Sequence, residues 1–135
     1  MDDYWVIISG PELDTVRVAE ICSDLKVLNT CVRGEHFKTF GGKRRENVRG
    51  QKNPDSFVSF DNPYQTLSMF LQSLYQDLDA LTHAGMGDIE IWALMQRGSQ
   101  MNGELSKEEL KLLAKIGATY CWSMIVENDG SVPSP

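Results

Sequence analysis

Five leucines recur between residues 64 and 84, at Leu67, Leu71, Leu74, Leu78 and Leu81. Steps of four and three place all of them on one side of an α-helix. A helix apolar along a single stripe must lay that stripe on a second layer, and the flanking sequence predicts a sheet. YWVIIS (Tyr4 to Ser9), VLNTCVR (Val27 to Arg33), DSFVSF (Asp55 to Phe60), DIEIWALM (Asp88 to Met95) and TYCWSMIVE (Thr119 to Glu127) are short apolar runs rich in aromatic and β-branched residues. They read as five strands.

Helix grammar fills the gaps between them. After GPELD, Asp14 is placed to cap a first helix whose Val18, Ile21, Cys22 and Leu25 share a face. Pro63 opens the long leucine helix, read as Tyr64 to about Ala84, and Gly85 and Gly87 stop it. In LSKEEL, Ser106 and Glu109 form an S-x-x-E capping box, with Leu105 and Leu110 at the staple positions and Gly117 at the end. The lead-ins GPELD and NGELS look alike and suggest a weak internal repeat. The predicted order is βαββαβαβ in one α+β domain spanning 1–127, with a disordered tail at 128–135. Its first six elements form a ferredoxin-like core, to which a helix and a strand are added. The sheet is expected to be mostly antiparallel or mixed, with the helices packed on it.

Composition narrows the functional classes. The chain has 135 residues, 41% hydrophobic and 24% charged, which suits one soluble core. No apolar run reaches the ~18 residues of a membrane span, and the start MDDYWVIIS lacks signal-peptide features, so a cytoplasmic protein is expected. Cys22, Cys31 and Cys121 are odd in number and without CxxC spacing, which predicts reduced, mostly buried thiols. Trp5, Trp92 and Trp122 fall in strands and read as core or sheet-face residues.

The formal net charge is -6, but it is unevenly spread. From Arg33 to Lys52 the chain carries seven basic and two acidic residues, a local +5 that leaves -11 for the remainder. A body this acidic is suited to a basic protein partner, and a dedicated duplex binder would spread its basic face more widely. Asp77, Asp79, Asp88 and Glu90 are the candidate partner contacts. His36, Lys43, Arg44, Arg45 and Arg49 are candidates for binding through the basic loop, where Gly41-Gly42 offers backbone amides and Phe37 and Phe40 offer stacking.

Catalytic patterns are sparse. GxxxxGK[ST] and GxGxxG are missing, and no helix begins at Gly41-Gly42 to complete a phosphate site. His83 stands four residues after Asp79 and reads as a surface pair on one helical turn. Cys31, Glu35 and His36 lie close in sequence, and an enzyme would require them to converge in space. No catalytic residue, metal site or cofactor is expected.

Three motifs carry a family resemblance: SGPELD, VRGE (Val32 to Glu35), and GELSKEELKLLAKIGATYCWSMIV near the end. With them the chain resembles the small bacterial family called domain of unknown function 4279 along essentially its whole length. The resemblance implies this layout of elements and no catalytic set. It also implies a tryptophan in the strand after the variable loop, where this chain has DSFVSF and Phe57 takes the place. Small size, acidity and the lack of a catalytic set lead to a non-catalytic protein-binding protein, most concretely an immunity protein that neutralises a cognate bacterial toxin by covering its active site. The alternative is a small nucleic-acid or phosphate-ligand binding module using residues 33–52.

Overall fold

The computed structural model describes residues 3–35, 52–97 and 104–126. Its elements are β1 (Asp3–Gly10), α1 (Thr15–Ile21), β2 (Lys26–Cys31), β3 (Ser56–Asp61), α2 (Leu67–Gln76), α3 (Leu78–His83), β4 (Asp88–Arg97), α4 (Lys107–Ile116) and β5 (Thr119–Val126). The five strands form one sheet in the order β2-β3-β1-β4-β5. Each of the first three pairings is antiparallel, and β4 with β5 is parallel. The first four strands therefore have the order and directions of a split βαβ unit, and β4-α4-β5 adds a parallel edge. This is the expected α+β architecture with a mixed sheet.

Strand alternation divides the sheet into two unlike faces. On one, Val6 lies between Phe60 and Ile91, and Ile8 between Val58 and Ile89. All six are buried together with Val18, Leu67, Phe70, Leu71, Leu74, Leu81, Leu112, Leu113 and Ile116 from the four helices. Every described helix thus packs on that face. Each fully buried Leu or Phe contributes about 1.5–3 kcal/mol relative to exposure, so this layer is the main source of stability.

The leucine stripe holds, but the helix carrying it is two helices. The chain leaves helical geometry at Asp77 (φ -93°, ψ 1°), which ends α2 and starts α3. Leu74 and Leu81 stay fully buried on either side, so the core face crosses the break intact. The start is also later than Tyr64: Thr66 is the cap, its hydroxyl accepting from the Met69 amide at 3.2 Å. Pro63 instead sits in an Asn62 turn, where the Asn62 side chain accepts from the Tyr64 amide at 2.8 Å.

The capping box at Ser106 and Glu109 forms as read, with Gly117 left-handed (φ 73°) at the far end. Its staple does not, because Leu110 is 52% exposed while Leu105 packs against the core. The apparent repeat fails there too. In the first lead-in both Leu13 and Val18 are buried, and β1 and β2 are separated by β3, whereas β4 and β5 are neighbours. Residues 128–135 and Glu127 lie outside the described residues.

Candidate functional site

The second sheet face has no described helix upon it. Alternation puts Trp5, Ile7 and Ser9 of β1, Phe57 and Asp61 of β3, Asp88, Glu90, Trp92 and Leu94 of β4, and Cys121 of β5 on that side. Most are half-buried. Trp5 and Trp92 are direct cross-strand partners, and their rings stack with centroids 6.0 Å apart at 11°. The indole Nε1 of Trp92 donates to Glu90 Oε1 at 3.2 Å. On the other side of Trp5 the register places Asp61.

The β4–β5 register sets Cys121 beside Trp92 on this surface. Burial, and then the charges of Glu90 and Asp88, push the Cys121 thiol up from its ordinary range. Cys121 therefore stays protonated and is a poor nucleophile. The face pairs aromatic rings with carboxylates, and the nearest cation in the register is Lys26, opposite Asp61. Chemically it suits a guanidinium or ammonium group, which gains from indole faces and carboxylates together. Phosphate would meet repulsion there.

Of the four carboxylates singled out in the sequence, Asp88 and Glu90 belong to this face. Asp77 and Asp79 do not, since they lie at the α2–α3 junction in the helix layer on the other side of the sheet. Burial, and then the charge of Asp24, hold the Asp77 carboxyl above its usual range. Asp24 itself is an acceptor in a clamp, taking hydrogen bonds from the Tyr64 hydroxyl and from Ser73 Oγ, the latter at 3.0 Å. That clamp ties the α1–β2 turn to α2. The sequence places Tyr64 at the start of a helix, and no local spacing links it to Asp24, forty positions away.

The histidine pairing takes a different form. His83 Nδ1 lies 2.7 Å from the main-chain oxygen of Asp79, so the backbone, rather than the carboxylate, is its partner. His83 lines an open cleft of about 490 Å³ with Glu12, Asp14, Arg17, Ala80, Ala84 and Gly85. Its charged groups have structural partners. Asp14 caps α1 through the Arg17 amide at 3.1 Å, Arg17 pairs with Glu20 at 3.3 Å, and Glu12 pairs with Arg33 at 3.3 Å.

Cys31 and Glu35 are likewise engaged in holding the chain. The Cys31 sulfur is buried and accepts from Asn53 Nδ2 at 2.6 Å, while Glu35 Oε1 accepts from the Val32 amide at 3.1 Å. His36, Lys43, Arg44, Arg45 and Arg49 lie outside the described residues. Cys22 is buried, and desolvation, followed by Asp77 and Asp24, pushes its thiol up to about 12. None of the three cysteines is in a disulfide. Among the described residues, no group of three His, Cys, Asp or Glu side chains is placed to hold a metal ion, and no helix is long and apolar enough to cross a membrane. No family model, curated protein or solved structure matches the chain.

Proposed function

We propose that the protein is a non-catalytic, cytoplasmic binding protein for a basic protein partner, most concretely an immunity protein that occludes the active site of a cognate bacterial toxin. The observation that carries the reading is the half-exposed aromatic and carboxylate face formed by Trp5, Trp92, Glu90 and Asp88. Rings held by cross-strand stacking lose little freedom on binding, and carboxylates beside them favour basic side chains. Opposite fields also speed encounter with a cationic toxin. In this reading the face covers the cleft in which a basic nuclease holds its polyanionic substrate, so inhibition needs no chemistry from the inhibitor. The resemblance to domain of unknown function 4279 enters as a fold expectation and adds no activity. A nucleic-acid role would rest on a basic segment whose central residues lie outside the described ones, and the acidic face works against it.

The test is calorimetric titration against a purified basic nuclease domain from the same genomic neighbourhood, at low and raised salt, with nuclease activity followed in parallel. A complex that weakens with salt and silences the nuclease is the expected result. No complex at low salt overturns the proposal.

A further inference from the structure

The sheet ends on two edges of unlike character. The β2 edge is short, begins with Lys26 and is broken by an irregularity between Val27 and Asn29. Charge and bulges of this kind are how natural sheets prevent strand-to-strand association. Among the described residues the β5 edge has none of these protections. Over Thr119–Val126 its sequence TYCWSMIV contains no charged residue and no proline, and among the described strands it pairs with β4 alone. Trp122, near its middle, is 57% exposed.

From this asymmetry we infer that β5 is a self-association edge, at which a second copy of the chain adds its own β5 antiparallel and extends the sheet from five strands to ten. Charge selects the occupant. In a two-fold pairing a charged residue near the axis faces its own like charge, which destabilises the pair. β5 has no such residue, so two chains of net charge -6 can pair along it without like charges facing each other across the axis. A basic partner gains no attraction from a neutral edge, and its field complement lies instead on the carboxylates of the open face. Centring the pair on Trp122 places this exposed indole opposite its mate and Cys121 opposite Ser123, each pair on a common face. Assembly of this kind leaves the open face with Trp5 and Trp92 uncovered and duplicates it. The inference does not depend on the proposed toxin partner.

Sedimentation over a wide concentration range tests it with the purified protein alone. The expected result is a reversible dimer whose strength holds or rises with salt, because screening relieves repulsion between two acidic chains. Trp122→Lys, which sets two ammonium groups across the axis, is expected to give a monomer with an unchanged circular dichroism spectrum. Trp122→Cys is expected to yield a disulfide-linked dimer under mild oxidation, which keeps the inference testable if the lysine variant does not fold. A wild-type chain that remains monomeric at every concentration overturns the inference. So does a dimer as strong in folded Trp122→Lys as in wild type, or a folded Trp122→Cys that fails to cross-link.

Discussion

At the scale of single residues, Gly10 and Gly85 explain why SGPELD reads as it does. The turn after β1 meets the turn after α3, with the Asp14 amide donating to the Ala84 carbonyl and the Gly87 amide to the Ser9 carbonyl, both at 2.8 Å. A side chain at Gly10 would collide with the Gly85 carbonyl. One at Gly85, where φ is +98°, would lie 2.5 Å from the Glu12 oxygen. Gly85→Ala is therefore expected to cost about 1–3 kcal/mol, read from urea unfolding. From sequence alone Gly85 and Gly87 are helix stops, and the contact with Gly10 is invisible because it joins turns seventy-five residues apart. Asp77 makes a second case. Its carboxyl is held above the usual range by burial and by Asp24, so the ionised form is penalised in the fold. That penalty is full above the folded pKa and disappears below the unfolded value. Asp77→Asn is expected to be more stable than wild type at neutral pH, with the difference closing as pH falls through the carboxylate range. Thermal unfolding across pH checks the sign.

At the scale of elements, local grammar was a good guide wherever the deciding interaction is local. The Ser106 box joins residues three apart, and both of its hydrogen bonds form, at 3.1 Å and 2.8 Å. Ser106→Ala is expected to cost about 1 kcal/mol in chemical denaturation, as loss of a cap usually does. The leucine stripe was legible for the same reason. The break at Asp77 was not, since Leu74, Leu78 and Leu81 keep the spacing of one continuous helix and no glycine or proline marks the interruption. Leu110 shows the opposite failure: the staple pattern was present, but α4 turns that position to solvent. Truncation of the stripe at its centre, Leu74→Ala, is expected to cost about 2–5 kcal/mol because the residue is fully buried between helices and sheet.

At the scale of the whole molecule, the alternation of strand and helix signals predicted the α+β sheet, while the division of its surface needed the register. Asp77, Asp79, Asp88 and Glu90 are close in sequence and looked like one acidic patch, yet the fold separates the first two from the last two. Trp5 and Trp92 are far apart in sequence and become stacked neighbours because β1 and β4 pair antiparallel. Pairing order is a long-range property, so neither the patch nor the stack was legible beforehand. The proposed role of the open face is to bind a basic protein. It is tested most directly by titrating one purified basic nuclease domain with the wild type and with a folded Glu90→Gln, Trp92→Leu variant, following tryptophan emission and affinity at low salt. Expected are an emission change with the wild type and an affinity loss of about tenfold or more in the variant, the scale at which interface anchors act. Equal affinity for the two proteins would contradict it.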